Sequence, residues 1–103
     1  MAKAVSKQKK TIVTHPRTGT ERKFDSKIYE PFKAAIIQSL KGSHGKTFTG
    51  LTDDVAGIIR KKLPGFKGSI PWYTISVRLD LETRGIVETV VDKGKKLNRL
   101  KAG

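Results

Sequence analysis

Apolar residues recur along this chain with two different periods, and the changes of period mark its elements. Tyr29, Phe32, Ile36 and Leu40 fall on one helical face, widened by Ile28 and Ile37. Asp25 or Ser26 offers an N-cap, but Pro31 suits only a first turn. A loose turn followed by a helix over about 30–41 is therefore expected. Leu51, Val55, Ile58, Ile59 and Leu63 form a second stripe, capped by Thr49 or Thr52 and ended by Leu63-Pro64-Gly65. Asp53 and Asp54 suit its first turn and Arg60, Lys61 and Lys62 its last, as the helix dipole favours. Phe48, just ahead of it, reads as a short strand.

The best-marked element runs from Ser69 to Gly85. Ser69 can cap it, Pro71 fits its first turn, Arg84 suits its last and Gly85 can take the left-handed conformation that ends it. This helix has two apolar sides. Tyr73, Val77 and Leu81 step by four, while Trp72, Ile75 and Leu79 lie nearly opposite. A surface helix has one such face, so this one is expected to be covered on both. Val77 and Leu81 should face the other two helices. The Trp72 side should meet the hairpin that follows, the N-terminal segment or a second copy of the chain. Ile86 to Val91 is β-branched and strand-like, Asp92-Lys93-Gly94-Lys95 is a turn, and Lys96 to Leu100 returns as a second strand.

The run Ser69 to Glu88, SIPWYTISVRLDLETRGIVE, resembles the signature of a family of short, uncharacterised bacterial winged-helix proteins. Its end, Leu81-Glu82-Thr83-Arg84-Gly85-Ile86-Val87-Glu88, is similar to the LExRGxxE close of many winged-helix recognition helices. The likeness covers about residues 28–100. It implies a fold that is mainly α with a small β hairpin (α+β), a single winged helix-turn-helix domain over 25–103. The expected core is Phe32, Ile36, Leu40, Leu51, Val55, Ile59, Val77, Leu81 and Ile86. Winged helices bind DNA, RNA or proteins, so the fold leaves the role open. Residues 1–24 are polar, basic and poor in large apolar groups, and read as a flexible arm. Within them Thr11 to Thr14 could form a short strand and His15 to Gly19 a turn.

Charge sharpens the functional reading. The chain has 103 residues and a formal net charge of +13. Residues 1–24 hold a net +6, residues 25–91 a net +3 and residues 92–103 a net +4, so the excess sits at the two ends. Polyanion binding is the natural use of such a balance. A basic arm and a hairpin carrying Lys93, Lys95, Lys96 and Arg99 are suited to phosphate contacts. On the third helix Arg78 is the candidate reader of a base edge, with Thr74 and Ser76 as short companions. Lys61 and Lys62 extend the candidate surface. Asp80 and Glu82 oppose phosphate and suit ion pairs with Arg78 or Arg84 instead.

Other chemistries lack their residues. The absence of cysteine excludes disulfides, thiol catalysis and cysteine zinc sites, and suits a reducing cytoplasm. No apolar run approaches a membrane span, and residues 1–10, basic with no apolar core behind them, are not expected to be a secretory leader. His15 and His44 lie in expected loops, so no metal or cofactor is expected. Gly45-Lys46-Thr47 lacks the earlier glycine of a phosphate loop, since Leu40 stands there. Asp53 and Asp54 are adjacent helical residues and diverge, which speaks against paired catalytic acids. The expectation is a non-enzymatic protein that binds nucleic acid, most naturally double-stranded DNA. The alternative is a protein-interaction module that dimerises through the Trp72, Ile75 and Leu79 side.

Overall fold

The three helical stripes bury against one another in the computed structural model, which describes residues 10–15 and 17–101. Helix α1 spans Ser26–Leu40, α2 Phe48–Lys62 and α3 Ile70–Thr83. Two antiparallel two-stranded sheets flank them: β1 (Lys10–Thr14) with β2 (Glu21–Asp25), and β3 (Val87–Asp92) with β4 (Lys95–Leu100). The architecture is thus α+β. Phe32, Ile36, Leu51, Val55, Ile59, Val77 and Leu81 are fully buried and Leu40 nearly so. Ile86 is only partly buried; its neighbour Val87, on the inward face of β3, takes the core position expected of it.

Helix α1 begins earlier than its proline suggests. Asp25 caps it by accepting a hydrogen bond from the Lys27 amide, and Pro31 lies inside, a full turn beyond the start. Pro31 forgoes one helical hydrogen bond. The first turn nevertheless forms, because it carries Tyr29 into the core, 2% exposed, with its hydroxyl donating to Asp80 at 2.6 Å. Helix α2 is capped by Thr47, whose hydroxyl accepts from the Gly50 amide, and not by Thr49 or Thr52. Phe48 is its first residue and not a strand. Asp53 and Asp54 consequently fall beyond the first turn. The strand pairing expected of Phe48 occurs two residues earlier, where Lys46 and Asn98 exchange backbone hydrogen bonds of 2.9 and 2.7 Å. Gly45, at φ +149°, permits this approach: a side chain there would meet Leu97 of β4 at 2.9 Å.

Helix α3 has the ends its sequence marks. Ser69 accepts from the Trp72 amide. Ile86 N–H donates to Leu81 and Gly85 N–H to Glu82, the paired bonds of a Schellman stop, with Gly85 at φ +78° and Arg84 as the C-cap.

In the N-terminal segment the short strand expected over Thr11 to Thr14 is found as β1 (Lys10–Thr14), and it pairs with β2 (Glu21–Asp25) in a hairpin ahead of α1. Val13 and Phe24 share one of its faces and are 5% and 6% exposed, while Ile12 and Lys23 on the other face are exposed. Two apolar residues on the same face suffice to dock the hairpin once backbone and side-chain hydrogen bonds join it to α3. Residues 1–9 of the expected arm lie outside the described residues.

Candidate nucleic-acid interface

The hairpin is held on α3 by one carboxylate. Asp80, 1% exposed, accepts from the Thr14 amide (2.9 Å), the Tyr29 hydroxyl (2.6 Å) and Arg84 Nε (2.6 Å). Arg84 also donates to the Ile12 carbonyl, and the Thr83 hydroxyl to that of Thr14. Burial, reinforced by the bond to Asp80, pushes the ionisation of Tyr29 well above its usual range. Phe24 covers one side of Trp72 at 5.5 Å between ring centroids, and the Arg22 guanidinium lies 5.9 Å from the same ring. The Trp72 side of α3 therefore meets the N-terminal hairpin. Trp72 remains 43% exposed, and Ile75 and Leu79 are half-buried.

The β3–β4 hairpin, which would be the wing of a winged helix, is held in the same way. Arg78, 5% exposed, donates through Nε to Asn98 Oδ1 at 2.6 Å and through Nη1 to Glu82 at 2.7 Å. Asn98 Nδ2 donates to the Lys46 carbonyl. Arg78 thus ties α3 to β4 and to the strand-like residue before α2. Thr74 is fully buried, and its hydroxyl has no hydrogen-bond partner among the described residues. Thr74 and Arg78, expected on an exposed polar face of α3, are thus buried, and Arg78 is engaged by Asn98 and Glu82. The signal that misleads is periodicity: both flank apolar stripes on a helix buried on more than one side. Ser76, half-buried, borders the cleft beside the β1–β2 turn, and Arg78 with Asn98 borders the one beside the β3–β4 hairpin.

The basic residues divide between places. Lys93, Lys95 and Lys96 are exposed on the β3–β4 hairpin, while Arg99 is exposed but paired with Glu88 at 2.6 Å. Lys61 and Lys62 line a different cleft between α1 and α2, with Gln38, Asp53 and Asp54. Phe48, at the opposite end of α2, borders the wing-side cleft. The helix length separating Phe48 from Lys62 is about 20 Å, so Lys61 and Lys62 do not join the wing in one surface. The Lys46 ammonium is taken up by Asp54, which the Ser39 hydroxyl also contacts at 2.7 Å. These two bonds, Lys46 first, hold the Asp54 carboxyl below its usual range.

The outer face of α3 is the floor between the two hairpins. One cleft, of about 330 Å³, is bordered by Arg17 from the N-terminal hairpin and by Thr89 and Lys96 from the wing, over Ile75 and Leu79. A second, of about 160 Å³, lies between the β1–β2 turn and α3, again reaching Leu79. Among the described residues no ion pair engages Arg17, Arg22, Lys93, Lys95 or Lys96, whereas Asp54, Asp80, Glu82 and Glu88 are all paired. Sequence reasoning places phosphate contacts on the N-terminal segment as a whole but does not single out Arg17 and Arg22. The alternation Arg22, Phe24 is the pattern that points Arg22 to the same side as a buried aromatic; Arg17, in the turn, has no such signal. Asn98 leaves no such trace, being one polar residue in a polar strand.

No group of histidine, cysteine or carboxylate side chains among the described residues could hold a metal ion, and no described helix is long and apolar enough to cross a membrane. No curated protein and no solved structure matches the chain. A family model does: it spans residues 10–97, from the first residue of β1 into β4, and so takes in both hairpins and all three helices. The chain belongs to that family, described as a family of unknown function (DUF6958).

Proposed function

We propose that this is a non-catalytic winged-helix protein that binds nucleic acid, double-stranded DNA above all, through two basic hairpins that flank α3. The order α1, the paired Lys46, α2, α3 and the β3–β4 hairpin supports the winged-helix reading, with the N-terminal hairpin as an addition to it. The observation that carries the functional reading is the wing-side cleft. Arg17 and Lys96 come from opposite ends of the chain, border one cleft and have no carboxylate partner among the described residues. Cations without internal partners on two hairpins suit phosphates, which position a duplex without reading it. With Arg78 and Thr74 buried, binding is sequence-tolerant. Fluorescence anisotropy with duplexes of unrelated sequence tests this. Arg17→Gln with Lys96→Gln should weaken binding to every duplex alike, while Lys61→Gln with Lys62→Gln should leave it unchanged. Equal affinity in the first double variant would refute the proposed surface.

A further inference from the structure

The smaller cleft carries a more specific assignment. Its walls are the β1–β2 turn and the flank of α3, its apolar floor is Val13 and Leu79, and its polar groups are His15, Thr18, Thr20, Arg22 and Ser76. Among the described residues no carboxylate lines it. The hydrogen bonds of the turn leave His15 and Thr20 each with a donor to spare. His15 Nδ1 accepts from the amides of Arg17 (3.1 Å) and Thr18 (3.4 Å), which leaves the ring proton on Nε2. The Thr18 hydroxyl accepts from the Thr20 amide and donates to the Thr20 hydroxyl at 2.9 Å, so the Thr20 proton is left to donate outward. Arg22 is already ordered over Trp72. Glu21, the nearest acid in sequence, stands one residue from Arg22 and so on the other face of β2. Asp80, behind Thr14, is occupied by Arg84 and Tyr29.

We infer that this cleft between the β1–β2 turn and α3 is a binding site for one sugar-phosphate unit. The phosphate is received by Arg22, His15 Nε2 and the hydroxyls of Thr20 and Ser76. The CH face of the sugar lies on Val13 and Leu79. A volume of about 160 Å³ is below that of a drug-sized site but admits a fragment of this size. The mixed lining separates it from the lysines of the wing, which offer charge alone. The proposal rests on the nucleic-acid reading for its natural occupant, a backbone unit of a bound strand, but not for its chemistry.

Amide chemical-shift titration of the full chain with ribose 5-phosphate tests it, with ribose and inorganic phosphate as the separated halves. Saturable shifts confined to Thr14, His15, Thr18, Thr20, Arg22, Ser76 and Leu79 are expected, with the joined compound binding more tightly than phosphate and ribose not at all. His15→Asn keeps an acceptor for the turn amides but removes the ring donor, and Ser76→Glu places a negative charge at the mouth. Each should weaken binding about tenfold or more, as loss of a charge-assisted hydrogen bond does. Replacing Lys93, Lys95 and Lys96 should leave it unchanged. Shifts scattered over the surface lysines without saturation would overturn the site, as would undiminished binding in both variants. Titration with a generic duplex then identifies the occupant. If the duplex shifts the same amides, the site holds a backbone unit. If ribose 5-phosphate saturates the site and the duplex fails to bind, the site stands as one for a free sugar phosphate, and the nucleic-acid reading fails alone.

Discussion

Two buried polar residues of α3 decide how its neighbours attach. Arg78 joins α3 to the wing through Asn98, and truncating it leaves Asn98 and Glu82 without their strongest partner. Arg78→Ala is expected to lower stability by about 2–3 kcal/mol, read as a fall in the urea midpoint, with discrimination between duplexes unaltered. A loss of discrimination with stability intact would restore Arg78 as a base reader. Asp80 does the corresponding work for the N-terminal hairpin. In Asp80→Asn one acceptor oxygen becomes a donor facing Arg84, Tyr29 or the Thr14 amide. Hydrogen exchange at the Thr14 amide should accelerate far more than exchange in the core of α2, since the hairpin can open locally before the helices do. Asp54 supplies the pH dependence. Its folded-state ionisation is depressed by Lys46 and Ser39, so its stabilisation is present above the unfolded carboxylate value of about 3.9 and is lost as pH falls through the lower, folded value. The stability gap between the parent and Asp54→Asn should be constant from neutral pH down to about 5 and close below about 4. Because the pair is partly exposed, added salt should shrink that gap.

At the scale of elements, what the sequence reveals and what it hides follow from how far apart the determining residues lie. The α2 and α3 stripes and the Ser69 and Gly85 ends are local patterns, and they are found where the sequence places them. The early start of α1 is not local: it depends on Tyr29 reaching Asp80, 51 residues away. The N-terminal hairpin is legible only in its first strand and turn, Thr11 to Thr14 and His15 to Gly19, and its docking is not local either. Its composition is that of a disordered arm, and its order comes from bonds to α3 that span 66 to 72 residues. The candidate surface inherits both outcomes. The lysines of the β3–β4 hairpin are legible because a turn sequence exposes them, while the burial of Thr74 and Arg78 and the seating of Arg22 over Trp72 depend on packing. The expectation for the wing is unaffected by these differences. Lys93→Ala, Lys95→Ala and Lys96→Ala together should weaken all duplexes alike and flatten the log–log salt slope by about one for each phosphate left without its lysine.

The sequence combines a mildly basic body with strongly basic ends, and the fold brings the two hairpins to the face of α3: the N-terminal hairpin against Trp72 and Leu79, the β3–β4 hairpin beside Ile75 and Arg78. Because Phe24 and Arg22 already cover part of Trp72, light scattering is expected to give the mass of a monomer at high concentration. A dimer that dissociates in a Trp72→Ala variant that still folds would favour the interaction-module reading instead. The central claim is electrostatic contact with a phosphate backbone by the two hairpins, and the salt dependence of duplex binding tests it most directly. Neutralising about 6–8 phosphates predicts a slope of log affinity against log salt near −5 to −7, the same for unrelated sequences. No binding at about 50 mM salt, where this attraction is strong, or a slope near zero, would contradict it.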